Sequence, residues 1–233
     1  MKLLALDTAT EACSVALWQD GATLERWECV GQAHSARLPS MVAELLGEAG
    51  IKLRQLDGLV CGIGPGSFSG VRVGVGYVKG LALGLQCPVA GVSSLAMLAQ
   101  YAIRVHGAER ALCAIDARMR QVYFGAYRKQ GGCASAEGEE SVCAPEQVPA
   151  VPAGEWVGVG SGWQAYGPAL RAALGLPLAR VDAKALPHAQ DALTLALPDF
   201  IAGRAVEAQQ LAPRYLRNRV ALTLDEQQAA RRS

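Results

Sequence analysis

The sequence lacks a charge excess of either sign. It has 22 Lys and Arg residues against 21 Asp and Glu residues, which gives a formal net charge of +1 at pH 7. Proteins that grip an RNA backbone on their own usually show a strong basic excess, so a primary RNA-binding role is disfavoured. The exception is a small basic cluster near the end of the chain, Arg214, Arg217 and Arg219. We therefore expect contact with RNA to be indirect at most.

Clustered metal ligands and paired cysteines are also lacking. The three histidines, at positions 34, 106 and 188, lie far apart in sequence. The seven cysteines are odd in number, and none forms a Cys-x-x-Cys pair. Most of them lie in apolar runs, where a free thiol behaves as a small hydrophobic group. This usage predicts a reducing compartment, the cytoplasm, and no metal site.

No hydrophobic run is long enough to suggest a membrane span. The longest, Val71 to Leu85, contains Arg72, Lys79 and several glycines, and it is shorter than a bilayer requires. The chain opens with a short apolar run that stops at Asp7, which does not resemble a signal peptide. We expect no membrane association.

What the sequence does contain is a repeated α/β pattern in a globular composition, with 51% hydrophobic and 18% charged residues. Residues 3–6, 13–18 and 22–29 read as an antiparallel strand meander whose first strand ends at Asp7. Residues 112–115 and 121–128 repeat the plan, with Asp116 ending the first strand. The two openings, LLALDTATEACSVAL and ALCAIDARMRQVYFGAY, indicate two lobes built by duplication.

Helices are predicted from apolar periodicity. Apolar residues at 38, 41, 42, 45, 46 and 49 give residues 34–49 one apolar face, with Pro39 in the first turn. Further helices are predicted at 69–85, 93–106, 163–174 and 191–202, the last with a bend or break near Pro198. Residues 129–155 are predicted to be long loops, residues 213–217 extended, and the last ten residues frayed.

The segment Gly62 to Gly76, GIGPGSFSGVRVGVG, lies between a predicted strand and a helix N-terminus. Free N–H groups and the helix dipole favour an anion there, so Gly64, Gly66 and Ser67 are candidates for proximity to a phosphate or nucleotide. A tight structural turn explains the same glycines. The segment is neither a P-loop nor a nucleophile elbow, because it lacks both Gly-Lys-Ser/Thr and Gly-x-Ser-x-Gly.

The following helix carries Gly76, Gly80 and Gly84 on one face. A glycine inside a helix costs roughly 0.5–1 kcal/mol relative to alanine, so another backbone is expected to pack there at close range. That backbone belongs either to the chain's own sheet or to a partner. The sequence leaves both open.

Two acidic residues and one histidine are further candidates. Asp7 and Asp116 each follow a buried strand, where acids of two-lobed nucleotide-binding folds often face the cleft through a metal-bound water. The alternative is that each caps its own turn. His34 opens a helix, and a surface or capping role is favoured for it.

Four segments together carry a resemblance to a known family: LALDTATEACSVAL at 4–17, GPGSFSGVRVG at 64–74, AIDARMRQVYFGAY at 114–127 and PRYLRNRVA at 213–221. They resemble the TsaB family, also called YeaZ. The resemblance implies a two-lobed actin/Hsp70-like ATPase fold with duplicated lobes. It also implies a sister relation to TsaD, the catalytic subunit that transfers threonylcarbamoyl to the tRNA adenosine beside the anticodon. We expect an N-terminal lobe at 1–106, joined by a C-terminal helix near 191–204, and a C-terminal lobe at 107–233.

The departures from TsaD predict a non-catalytic subunit. Where TsaD carries a metal-binding His-Met-Glu-Gly-His stretch, this chain reads Ser94-Leu95-Ala96-Met97-Leu98, and leucine has no lone pair to offer a metal. The loop at 7–10 also lacks the glycine that lets such loops approach a phosphate. We expect no catalytic residue, no metal and no tightly bound cofactor, with ATP or ADP confined to an interface with the partner. The residues expected near a nucleotide are Asp7, Thr8, Thr10, Gly64, Gly66 and Ser67.

The resemblance also implies the partners. TsaD is expected on the two helices at 34–49 and 69–85, TsaE in a ternary complex, and a second copy of this chain when it is alone. Contact with tRNA is expected to be indirect at most. The residues predicted at this interface are Leu38, Met41, Leu45, Val73, Gly76, Tyr77, Gly80 and Gly84.

Two enzyme readings stand as alternatives. One is an independent ATPase, or a peptidase as an older glycoprotease label for the wider family suggests. The other is a dinucleotide-dependent oxidoreductase, which the antiparallel opening and the missing third fingerprint glycine argue against.

Overall fold

The structure is a computed structural model that describes residues 1–217. Its first sheet has the strand order β3-β2-β1-β4-β5. Strands β1 (Lys2–Asp7), β2 (Ala12–Gln19) and β3 (Ala22–Cys29) form the predicted antiparallel meander. Strands β4 (Gly58–Gly62) and β5 (Val89–Val92) continue the sheet in parallel with β1. Arg219 and the last ten residues, predicted to be frayed, lie outside the described residues.

The second sheet repeats this plan. Its strands are β6 (Arg110–Asp116), β7 (Val122–Gln130), β8 (Cys133–Ala136), β9 (Ser141–Cys143), β10 (Trp156–Val159) and β11 (Leu178–Asp182). Strand β7 runs antiparallel to β6 and β10 runs parallel to it, as β2 and β4 do around β1. The predicted duplication is therefore present in the topology.

The prediction that 129–155 is all loop was wrong. Strands β8 and β9 pair with two stretches of β7, although the segment Cys133–Ala136 consists of small residues with little preference for a strand. The long β7 strand supplies a template that local propensity does not reveal. Strand β11 was not predicted.

Helices cover both faces of the first sheet. Helices α1 (His34–Glu48) and α2 (Phe68–Leu85) pack on the face that presents Leu4 and Leu6. Helix α5 (Ala189–Ile201) packs on the opposite face, against Leu3 and Ala5. The side chains that contact the two helix layers alternate along β1, because successive side chains of a strand point to opposite faces of the sheet.

Helix α5 continues through Pro198 as one helix, so the chain does not break there. Proline cannot donate to the carbonyl four residues earlier, which belongs to Thr194. In the structure the Cys133 thiol approaches that carbonyl oxygen at 3.8 Å, so the carbonyl still faces a weak donor.

Helix α3 (Ser94–His106) lies between the two sheets. Its Leu95, Leu98 and Ala102 join the core of the second sheet, whereas Met97 joins that of the first. The helix is tied to α5 by a bidentate pair, in which the Arg104 guanidinium donates twice, at 2.8 Å, to the fully buried Asp191 carboxylate. The helix therefore contributes to the cores of both lobes, although the sequence analysis assigned it to the first lobe.

Helix α4 (Ser161–Leu174) covers the outer face of the second sheet, where Trp163 packs against Leu112 and Ala114. Within residues 1–217, no helix is long and apolar enough to cross a membrane.

Candidate functional site

A cleft of about 870 Å³ opens between the two sheets. Its walls are the β1–β2 turn, the loop before α2, the β6–β7 turn, the start of α4 and the C-terminal segment 214–217. Of the residues predicted near a nucleotide, Thr10, Gly66 and Ser67 line this cleft, whereas Asp7, Thr8 and Gly64 do not.

The glycine-rich loop packs directly on the β1–β2 turn. A Cβ on Gly66 would collide with the carbonyl oxygen of Ala9, and a Cβ on Gly70 with that of Thr8. The Ser67 N–H donates to the Ala9 carbonyl at 2.7 Å, and the Thr8 hydroxyl donates to the Gly70 carbonyl at 2.7 Å. These glycines therefore serve a close backbone approach within the chain, which supports the structural-turn interpretation.

Asp7 does not face the cleft, contrary to the expectation. Its side chain is wholly buried, and a Cβ on Gly62 would collide with its Oδ2 atom. Oδ1 accepts a hydrogen bond from the Ala9 N–H at 3.2 Å, and Oδ2 has no hydrogen-bond partner among residues 1–217. Burial raises the pKa of this carboxyl to about 7, partly offset by the Ala9 hydrogen bond. Asp7 still belongs to the end of β1, where Gly62 leaves room for its carboxyl group on the neighbouring strand.

Asp116 lies at the cleft and also caps its own turn. Oδ1 accepts from the Arg118 N–H at 2.8 Å, and Oδ2 pairs with the Arg118 guanidinium at 2.9 Å. Thr10 plays a similar local role, because its hydroxyl accepts from the Ala12 N–H at 3.3 Å. Both side chains therefore form hydrogen bonds within their own turns.

The two positions that the resemblance aligns with TsaD metal ligands are Ser94 and Leu98. The Leu98 side chain is buried in the core, and the buried Ser94 hydroxyl has no hydrogen-bond partner in the described part of the chain. No group of three or more His, Cys, Asp or Glu side chains within residues 1–217 could hold a metal ion. His34, also a candidate, is buried, and its Nε2 donates to the Ala12 carbonyl at 3.1 Å. Within residues 1–217, the Ser67 hydroxyl forms hydrogen bonds with the Ser69 hydroxyl and the Gly70 N–H, and neither group is a general base.

The glycines of α2 divide into two faces. Gly70 and Gly74 pack on the β1–β2 turn, where an added Cβ would collide with atoms of Thr8. By contrast, a Cβ on Gly76, Gly80 or Gly84 would meet no atom of the described residues within 4 Å. We call these three residues the glycine stripe. The chain's own sheet explains the first pair but not the stripe.

The outer face of α1 is also built from small residues. Ala36, Ser40, Ala43 and Gly47 are exposed there, and the predicted interface residues Val73 and Tyr77 are half-buried beside the stripe. Three other predicted interface residues are not available to a partner, which corrects the sequence analysis: Leu38, Met41 and Leu45 are at most 1% exposed. They pack on the first sheet, and one helix face cannot serve both sheet and partner.

Comparisons with known proteins agree on one family. A family model described as "TsaD: tRNA N6-adenosine threonylcarbamoyltransferase" matches residues 28–221. The Escherichia coli (strain K12) protein named "tRNA threonylcarbamoyladenosine biosynthesis protein TsaB" is 46% identical over 225 residues, which cover 95% of this chain and 96% of that protein. The chain belongs to the TsaB family. A TsaB protein of Haemophilus influenzae is 40% identical, with 94% of this chain and 95% of that protein covered.

Solved structures of the TsaB family have the same fold. The structure titled "YeaZ from Pseudomonas aeruginosa" superposes with a TM-score of 0.87 at 47% identity, covering 92% of this chain and 99% of that one. A second, titled as an uncharacterized protein with similarity to peptidase YEAZ from the same species, has a TM-score of 0.87 and 48% identity and covers 93% and 99%. Together with the repeated topology, these matches confirm the predicted two-lobed actin-like ATPase fold.

Proposed function

We propose that this chain acts in tRNA threonylcarbamoyladenosine biosynthesis as a non-catalytic subunit that binds TsaD. The observation that carries the proposal is the glycine stripe, Gly76, Gly80 and Gly84, at which an added Cβ would meet no atom of residues 1–217 within 4 Å. Three glycines in one helix weaken it by roughly 0.5–1 kcal/mol each. A partner helix that approaches this face closely offsets that cost, and the relatives named as TsaB biosynthesis proteins indicate the pathway.

The proposed interface is the outer face of α1 and α2. Packed helices lie 8–10 Å apart depending on the side chains between them, and small residues permit the near end of that range. The stripe with Val73 and Tyr77 forms the centre of the interface, and Ala43 and Gly47 of α1 extend it. A second copy of the chain fits the same surface when TsaD is absent, so a homodimer and the TsaD complex exclude one another. TsaE joins as a third partner.

The non-catalytic role is proposed from the residues that stand at the expected metal-binding and nucleotide-binding positions. Ser94 and Leu98 stand where TsaD has metal ligands, and the chain's own backbone fills the space around Gly66. ATP or ADP, where it binds, is held at the junction with TsaD rather than by this chain alone. The reaction takes place on tRNA in the cytoplasm.

Co-purification with TsaD tests the proposal. Gly80→Arg places a long charged side chain on the stripe and should abolish the complex, while Ala172→Arg, an equally exposed change on α4, should leave it intact. Each variant is mixed with tagged TsaD, and the amount of variant that co-purifies is measured. Modified tRNA is measured in the same samples. A full complex with Gly80→Arg refutes the interface. Full modification by TsaD and its other partners without this chain refutes the subunit role.

A further inference from the structure

The mouth of the cleft carries three large exposed apolar side chains: Phe68, Met119 and Tyr215 are 57%, 72% and 48% exposed. The rings of Phe68 and Tyr215 lie 6.3 Å apart. The Arg72 guanidinium stacks 3.2 Å from the Phe68 ring centroid and 5.0 Å from that of Tyr215. Exposed aromatic groups clustered at a groove mark a binding surface rather than a core.

Arginines surround these rings. Besides Arg72, the β6–β7 turn presents Arg118, and the C-terminal segment adds Arg214 and Arg217. Three carboxylates lie close to the same mouth, Glu11, Asp116 and Glu140, and two of them are paired with Arg118 and Arg214. Four arginines against three acids leave a net positive charge at the mouth. We call the four arginines with Phe68, Met119 and Tyr215 the cleft rim.

The turn that holds Arg118, Met119 and Arg120 is fixed in an unusual conformation. Their φ values are 60°, 53° and 56°, a left-handed stretch that costs roughly 1–2 kcal/mol per L-residue. The Arg217 guanidinium holds it by donating to the Ala117 carbonyl at 2.9 Å and to Gln121 Oε1 at 2.8 Å. Such strain persists where the surroundings fix it, and it presents Arg118 and Met119 outward, 86% and 72% exposed.

We propose that the cleft rim binds an unpaired segment of RNA. Splayed bases stack on aromatic rings and on guanidinium planes, and the remaining arginines neutralise the phosphates between them. A duplex does not fit this chemistry, because its bases are already stacked and only its phosphates are available. The inference rests on the proposed function, which makes RNA the substrate of the complex. It differs from the expectation of indirect contact, which was based on the overall charge of the chain and not on the local arrangement of its arginines.

The test is fluorescence anisotropy with the full chain and a labelled twelve-nucleotide single-stranded RNA of mixed sequence. We expect saturable binding tighter than about 10⁻⁴ M, the weak limit of electrostatic binding. Changing Phe68 and Tyr215 together to alanine should weaken binding about 5- to 150-fold, the range for loss of a stacked base. Arg118→Glu should weaken it and lower the salt slope by about 0.7 per lost phosphate contact. Arg171→Glu and Arg180→Glu, exposed arginines on α4 and β11, serve as matched controls and should change neither.

Three results overturn the inference: no RNA binding by the wild type, equal loss in rim and control variants, or a duplex of equal length bound as tightly. A poly-glutamate peptide that competes fully, with no dependence on Phe68 or Tyr215, assigns the rim to an acidic protein segment instead. Co-purification with TsaD separates the two proposals. Rim variants should keep TsaD and lose RNA, whereas Gly80→Arg should lose TsaD and keep RNA.

Discussion

Replacing all three residues of the glycine stripe by alanine should stabilise the isolated chain. A Cβ at 76, 80 or 84 meets no atom within 4 Å in the part of the chain that the structure describes, so the substitution introduces no collision there. The substitutions should therefore raise the free energy of unfolding through the higher helix propensity of alanine, by about 1.5–3 kcal/mol for the three sites together. In a chain of this size that corresponds to a rise in melting temperature of roughly 3–12 °C. Urea denaturation followed by circular dichroism measures the gain, at several protein concentrations so that self-association is separated from folding.

The same variant should bind TsaD less tightly. If a helix backbone lies against the stripe, three added methyl groups push it away, and overpacking of a close contact costs about 1–3 kcal/mol. That range corresponds to about 5- to 150-fold in affinity, which titration calorimetry resolves. Stability and binding are therefore expected to move in opposite directions.

Gly70→Ala is the matched control on the same helix. Its Cβ would collide with the Thr8 carbonyl oxygen, so this alanine should destabilise the chain by about 1–3 kcal/mol. A triple-alanine variant that is less stable than the wild type at every concentration contradicts the open face of the stripe. One that is more stable but binds TsaD unchanged contradicts the close approach of a partner helix.

Two further predictions concern buried carboxyl groups. Asp7 has a folded-state pKa of about 7 against an ordinary value of 3.8, so between these pH values the folded chain binds more protons than the unfolded chain. The free energy of unfolding should therefore fall as the pH rises from about 4 to about 7, by up to about 4 kcal/mol. Asp7→Asn should flatten this loss in urea denaturation at pH 5 and pH 8, and an equal loss in the variant contradicts the assignment. Arg104→Met leaves Asp191 buried without its cation and should cost about 3–5 kcal/mol, whereas adding Asp191→Leu should restore most of it. Thermal denaturation of both variants checks this, and no recovery in the double variant contradicts it.

Much of the fold was predictable because sequence and packing agree along most of the chain. The β1–β3 meander, α1 and α2 carry strong alternation or helical periodicity, and their bounds match the predictions within one or two residues. The failures share a cause. Strands β8 and β11 depend on the neighbour they pair with, and α5 continues through Pro198 with a contact from Cys133 that lies far away in sequence. Such interactions leave little signal in local pattern.

The candidate site was predictable in outline but not in orientation. The sequence identified the glycines of α2 but could not say that Gly74 faces Thr8 while Gly76 faces outward. It placed Leu38 and Met41 at the interface, whereas the first sheet takes that face of α1. The cleft rim was predicted only in part. The sequence showed Arg214 and Arg217 as a basic cluster, but Phe68, Arg118 and Tyr215 join them only through the fold.

Helix α2 connects the two proposed surfaces. Phe68 stands at its first position in the cleft rim, and the glycine stripe begins eight residues later. At 1.5 Å per residue the stripe therefore spans about 12 to 24 Å from Phe68 along one helix axis. This separation is large enough for a partner helix and an RNA segment to bind together, and small enough for RNA on the rim to continue onto the partner. The Thr8 and Ser67 hydrogen bonds fix the start of α2 to the β1–β2 turn, so that the helix holds both surfaces in one rigid frame. In the proposed complex, this chain would contribute by positioning the substrate beside an active site that the partner supplies.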